Sequence, residues 1–279
     1  MNYSIRNLSL GDLSLGLRLS QSAGWNQTVD DWARFIQHEP AGCFAAFQRD
    51  QLIGTVTTTC YGSKLAWVGM MLVHTDYQKQ GVGTKLLKTA LRYLEKKSIA
   101  CVKLDATPLG HSLYSKLGFV DEYTLRRWYL KRQPTVSDQS SELQPVSLQS
   151  AQEIDCIQPL DESAFGCDRT QFLGSLRAGS HFESMHGGFG MRRTGRVSDY
   201  LGPVVAEEAP IGRTLVRRLV SQSETDLFWD VLDENLDAVE LADHLGFQPI
   251  RNLTRMHLGR SLTIQDPQKI YALADPAVG

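Results

Sequence analysis

Apolar residues recur along this chain with a period of two in some stretches and at helical spacing in others. The sharpest switch between the two falls at residue 73. Leu65 to Val73 reads as a buried strand, mostly apolar, with Trp67, Val68, Met70, Met71, Leu72 and Val73 in it. Beyond a polar stretch, Leu86, Leu87, Ala90, Leu91 and Leu94 recur at helical spacing, while Lys85, Lys88, Arg92 and Lys96 take the opposite face. Upstream, Tyr3 to Leu8 alternates as a short strand and Leu10 to Ser22 predicts a helix. Thr28 or Asp30 can cap a second helix over Asp31 to Gln37, which stops before Pro40. Period two returns at 43–47 and again at 52–59 across the turn Arg49-Asp50-Gln51, and Tyr61-Gly62-Ser63-Lys64 turns into the Leu65 strand. Past the amphipathic helix, 100–105 predicts a fifth strand, 112–117 a short helix, and Glu122 to Leu130 a last strand. The predicted order is β-α-α-β-β-β-loop-α-β-α-β through residue 132.

The polar stretch between strand and helix, Val73 to Thr84, holds the candidate chemistry. Gly81 and Gly83 flank Val82, so the backbone can approach a ligand with no side chain in the way. The free N–H groups of the first helical turn then point at that ligand, and the helix dipole favours an anion. Gln78 and Lys79 add polar and cationic groups to the same mouth. The expected occupant is a pyrophosphate. Spacing excludes two familiar phosphate loops. An NTPase loop needs four residues between its first Gly and the Gly-Lys-Ser/Thr, and only Val82 separates the glycines here. A dinucleotide fingerprint needs a third Gly where Leu86 stands.

What remains, Gln78-x-x-Gly81-x-Gly83, is similar to the acetyl-coenzyme-A loop of the GNAT N-acetyltransferase family. Leu113-Tyr114-Ser115-Lys116-Leu117-Gly118-Phe119 independently resembles that family's Leu-Tyr-x-x-x-Gly-Phe ending, and the element order matches its fold. The resemblance implies an acetyl-CoA site along Met71, Leu72 and Val73 and through Gln78, Lys79, Gln80, Gly81, Val82, Gly83 and Thr84. It also implies an acceptor pocket lined by Trp25, Asn26 and Gln27, with Tyr114 protonating the departing thiolate. A backbone N–H on the strand ending at Val73 would serve the carbonyl oxygen. Asp105 is the best carboxylate for the base, with His74 behind it, and a water relay from backbone carbonyls is the alternative. One departure is Thr107-Pro108, where the family often carries Asn, near the expected pantetheine path.

Gln133 to Leu143 is polar, contains Pro134, and predicts a linker. After it the pattern repeats. Trp67-Val68-Gly69 aligns with Tyr200-Leu201-Gly202, Leu86-Leu87 with Leu219-Val220, and 105–119 with 233–247, both ending in Leu-Gly-Phe. The expected fold is therefore α/β (α+β): two tandem GNAT-like domains at 1–132 and 144–279, each a mostly antiparallel mixed sheet flanked by helices. In the second copy Gln78, Gly81 and Gly83 become Ile211, Thr214 and Val216, and Tyr114 becomes Ala242. Asn235 and Ala238 keep the family's Asn-x-x-Ala. The second cofactor site is expected to be degenerate.

Composition narrows the rest. The 279 residues are 42% hydrophobic and 22% charged, with net charge −2, which argues for neither a nucleic-acid nor a membrane partner. Nothing resembles a signal peptide or a membrane span, so a cytoplasmic protein is expected. Cys43, Cys60, Cys101, Cys156 and Cys167 are scattered and read as reduced, buried small hydrophobes; no metal is expected. His181 and His186 read as surface-loop histidines. The resemblance implies acetyl transfer from acetyl-CoA to a primary amine of a small molecule or peptide, with a homodimer as a further option. A non-catalytic acyl-CoA-binding sensor is the competing reading.

Overall fold

The computed structural model describes residues 2–132, 150–260 and 266–279, so the expected linker lies outside the described residues. The first half runs β1 (Ser4–Asn7), α1 (Leu13–Ser22), α2 (Val29–His38), β2 (Phe44–Gln48), β3 (Gln51–Tyr61), β4 (Leu65–Val73), α3 (Val82–Lys96), β5 (Cys101–Ala106), α4 (Pro108–Ser115) and β6 (Val120–Leu130). The second runs α5 (Ser150–Phe165), α6 (Thr170–Arg177), β7 (Ser180–Met185), β8 (Gly188–Arg193), β9 (Asp199–Ala206), α7 (Ala209–Ser221), β10 (Leu227–Leu232), α8 (Leu236–His244), β11 (Gln248–Gly259) and β12 (Ile270–Ala272). From α1 to β6 and from α5 to β11 the order is the same, as the sequence repeat implies. Thr28 rather than Asp30 caps α2: its hydroxyl accepts from Asp31 N at 3.2 Å, and Asp31 Oδ2 accepts from Thr28 N at 2.9 Å. The predicted first helix opens with a 3₁₀ turn at Leu10–Asp12 before α1. The helix predicted at 112–117 starts earlier, because Thr107 Oγ1 accepts from Gly110 N at 3.3 Å and Pro108 takes the first turn.

The two halves share one sheet, in the order β1-β2-β3-β4-β5-β11-β6-β10-β9-β8-β7, with β12 beside β9. Among the described residues only β4–β5 and β9–β10 pair in parallel. At the centre the halves trade strands. The second half's β11 pairs with β5, Leu258 facing Val102 and Thr254 facing Ala106, while the first half's β6 pairs with β10, Trp128 facing Trp229. The boundary expected after residue 132 divides the covalent chain, and the sheet crosses it. On one face α3 buries Leu86, Leu87, Ala90 and Leu94 over Ile53, Val56 and Val68; α7 does the same in the second half with Leu215 and Leu219 over Val204 and Trp229. On the other face Trp32, Phe35 and Trp67 form a core with Phe165, Phe172 and the C-terminal Leu273 to Val278.

Two smaller expectations are corrected. Cys156 is exposed on α5, and Cys60 is half-buried at the edge of the core under α3; among the described residues no disulfide joins any of the five cysteines. His181 belongs to strand β7, not a loop, with Nε2 3.4 Å from Glu183. No helix among the described residues is long and apolar enough to cross a membrane.

Candidate active site

A gap in the sheet creates the site. β4 and β5 pair only at Leu65–Cys101, Ala66–Val102 and Trp67–Lys103, although β4 continues to Val73 and β5 to Ala106. Against β3, Thr57 faces Gly69 while Thr55 faces Leu72, so β4 carries an extra residue there. Met70, at that bulge, has φ 45°, and its carbonyl accepts Thr55 Oγ1 at 2.8 Å. A bulge bends its strand, and this one takes β4 away from β5. A cavity of about 80 Å³ occupies the gap, with Val68 to Met71 on one wall and Leu104 and Asp105 on the other.

On the α3 side, the cavity meets Thr107 and Tyr114. Helix α4 carries Tyr114 there with its ring on Phe119, centroids 6.0 Å apart. The ring is buried, and the hydroxyl has no hydrogen-bond partner among the described residues. Burial pushes the phenol up to about 12, so it stays protonated and can only donate near neutral pH. The neighbouring loop enters α3 through Gly81, whose φ of 82° needs glycine and whose missing Cβ would face open space. Lys85 N makes the helix's first bond, to Gly81 O at 3.0 Å, which leaves the N–H groups of Val82, Gly83 and Thr84 ahead of the ladder. Gly83 differs from expectation: a Cβ there would meet Met71 Cε at 3.2 Å and Val73 Cγ2 at 3.5 Å. Its bareness lets α3 sit against β4. Gln78 and Gln80, both exposed, fold back along the loop, donating to Val73 O at 3.1 Å and Asp76 O at 2.7 Å. They shape the loop, leaving exposed Lys79 as its cation.

On the opposite side the wall comes from both halves. Trp25 and Gln27 stand between α1 and α2, Arg127 on β6, Arg251 and Leu253 on β11, and Asp275 to Ala277 complete it. Of the three residues expected at an acceptor pocket, Trp25 and Gln27 line this cavity. Asn26 does not: it clamps the halves together, Nδ2 donating to Ser198 O at 2.8 Å and Oδ1 accepting from Val197 N at 2.8 Å. Asp105 also departs from its expected role as base. Its carboxylate is fully buried, with both oxygens held by Arg255 at 2.9 and 3.0 Å, so it reaches the cavity only through its main chain. Burial raises its carboxyl above the ordinary range, against the pull of Arg255. His74 caps the turn after β4, its Nδ1 accepting from Asp76 N, and is not part of the cavity wall.

The last residues were missed by motif reading. Trp67 Nε1 donates to Pro276 O at 3.1 Å, Tyr61 to Val278 O at 2.8 Å, and Arg193 Nη2 to Asp275 at 2.9 Å. A Cβ on Gly69 would come within 2.3 Å of Ala277 O, so the glycine of Trp-Val-Gly is what admits this segment. Its counterpart Gly202 meets Leu273 O in the same way. That repeated glycine was the one trace of the arrangement in the sequence. In the second half, β9 and β10 also part after Leu201–Trp229, but β12 runs into the gap, with Ile270 beside Val205. Tyr271 lies on α7, where a Cβ on Gly212 would come within 2.3 Å of its ring. The groove equivalent to the first half's opening is filled by the chain itself.

Residues 14–119 match the family described as "Acetyltransferase (GNAT) family", and residues 157–272 match "Acetyltransferase (GNAT) domain". The holothin acyltransferase of a Pseudoalteromonas species is 26% identical over 268 residues, spanning 91% of this chain and 87% of that one. A structure assigned as an acetyltransferase from Pyrococcus horikoshii superposes with a TM-score of 0.83 at 24% identity, over 99% of this chain and 96% of that one. A tandem GNAT protein from the clavulanic acid biosynthesis pathway gives 0.66 at 13% identity, over 93% and 100%. At these identities the two structures show likeness of fold.

Proposed function

This chain belongs to the GNAT acetyltransferase family in its tandem form, and from that premise we propose that it transfers an acetyl group from acetyl-CoA to a primary amine of a small molecule or peptide, by direct attack on the thioester. The observation that carries this reading is the gap between β4 and β5, which has an unpartnered tyrosine hydroxyl on one side and a charged wall on the other. The residues fit the cofactor. The unbonded N–H groups at the start of α3 and the open space beside Gly81 suit a pyrophosphate, and the unpaired edge of β4 suits an arm bearing amides.

Bound acetyl-CoA supplies an activated thioester carbonyl. A main-chain N–H in the Met70–Met71 bulge stabilises the charge that grows on its oxygen. Tyr114 donates its hydroxyl hydrogen toward the departing sulfur. An acceptor amine of pKa ~10 arrives protonated. Its proton leaves through cavity water toward main-chain carbonyls and the Asp275 carboxylate, since the Asp105 carboxylate is sealed. Burial raises the Asp275 carboxyl, opposed by Arg193, which suits it to receive a proton.

Calorimetric titration with acetyl-CoA should find one site per chain. Gly83→Val, which wedges methyl groups between α3 and Met71, should abolish that site in a chain that still melts cooperatively. A screen of amines for coenzyme-A release should then reveal an acceptor. Two equivalent sites would refute the assignment to the first half. Tight binding without release for any amine would favour the sensor reading.

A further inference from the structure

Around the acceptor side of the cavity, the buried charges are settled in pairs. Arg127 holds Asp230 at 3.0 and 2.6 Å, Arg193 holds Asp275 at 2.9 Å, and Arg255 holds Asp105. Arg251 is the exception among the described residues that line the cavity. It sits on β11 where the pairing with β6 slips after Pro249, and its guanidinium has no hydrogen bond or ion pair among the described residues. It is half-buried. Burial lowers its pKa, and repulsion from Arg127 adds to this against the attraction of Asp230. A partly desolvated guanidinium with its donors unspent is costly unless an anion meets it.

A second group in the same wall is unspent. Gln27 Oε1 is buried without a partner, while Gln27 Nε2 lies 3.4 Å from each Asp275 oxygen. The cavity therefore holds in its wall an unpaired guanidinium and, at Gln27, an amide oxygen whose hydrogen-bonding capacity is unspent. Its size restricts what can take both. With Pro276 and Ala277 closing it, about 80 Å³ remains, room for roughly five to eight waters.

We infer that the acceptor is a small amino acid, its carboxylate held by Arg251 and its amino group by Gln27 Oε1. Arg251 is then a specificity-determining residue that the second half contributes to the first half's site. The inference rests on the acetyl-transfer reading for the fate of the amine, but the carboxylate site can be tested by binding alone.

The full chain, saturated with coenzyme A, is titrated calorimetrically with proteinogenic L-amino acids as free acids and as their carboxamides. A charge-assisted pair predicts that an acid binds on the order of 10- to 100-fold more tightly than its amide. Arg251→Gln should erase that difference. Arg251→Lys, which keeps the charge but loses the fork, should restore part of it. Coenzyme-A affinity and melting temperature show that each variant is folded. Binding of no acid, equal binding of acid and amide, or a preference that survives Arg251→Gln overturns the inference. Coenzyme-A release with the same acids keeps the two readings apart. Binding that follows Arg251 without release refutes acetyl transfer to these amines and leaves the carboxylate site standing.

Discussion

Replacing Tyr114 by Phe removes one hydroxyl and keeps the ring on Phe119, so its effect on rate separates cleanly from its effect on folding. A phenol pushed up to about 12 is a poor proton donor to a thiolate. Against an ordinary thiol pKa of ~8.5 the full transfer is uphill by about 3.5 units, or roughly 5 kcal/mol. The upper range of general-acid help, ~10⁴-fold, is therefore out of reach. What remains is a hydrogen bond from a neutral donor to a sulfur gaining charge, worth about 1.5–3 kcal/mol, or about 10- to 150-fold in kcat. Stability should barely move, because the hydroxyl has no partner to lose among the described residues. A melting temperature within about 3 °C of the parent is expected. Acetyl-CoA affinity should also persist. The assay is coenzyme-A release under single-turnover conditions, with calorimetric binding and a thermal melt on the same preparation. Unchanged kcat would make Tyr114 a packing residue and water the proton source. A large fall in melting temperature would mean that the hydroxyl is structurally bonded, contrary to the geometry.

Arg255→Met should destabilise the chain by about 3–5 kcal/mol, since it strands the buried Asp105 charge, while Asp105→Leu with Arg255→Met should recover most of that loss. Urea melts of both variants test this, and a neutral single variant would contradict the sealed pair. Asp12 is held well below the usual carboxylate range, chiefly by its hydrogen bonds from Arg6. Its folded pKa lies below its unfolded value, so this stability is fully present above the ordinary value of ~3.9 and is lost as pH falls toward the folded one. The melting deficit of Arg6→Gln should accordingly be constant from pH ~7 to ~5 and shrink below pH ~4; a deficit that grows on acidification would refute the assignment.

Sequence by itself determined the elements whose causes are local. The strand at Leu65–Val73 has the bounds its apolar run indicates, and α3 begins directly after Gly81, whose positive φ ends the loop. The repeat was equally legible, since it depends on aligned residues and not on contacts. The position of Tyr114 also followed, as its α4 setting lies between adjacent strands β5 and β6 in the chain.

Tertiary structure alone decided which strands pair. β6 and β11 carry similar alternating patterns, and either could close its own half; nothing within a strand's own sequence distinguishes a partner in its half from one in the other. The exchange places β11 against β5, and so brings Arg251 and Arg255 some 150 residues along the chain to Asp105 and the cavity. The setting of Asp105 has the same origin: it sits at a suitable strand end, and only a distant arginine reveals that its carboxylate is paired. Asn26 was likewise drawn by its neighbours toward the pocket, while its partners lie at 197 and 198. The C-terminal segment belongs to this class too, because a short run of Leu, Ala, Asp and Pro carries no periodicity. It fits only because Gly69 and Gly202 leave space for it at the two gaps where the parallel strands part.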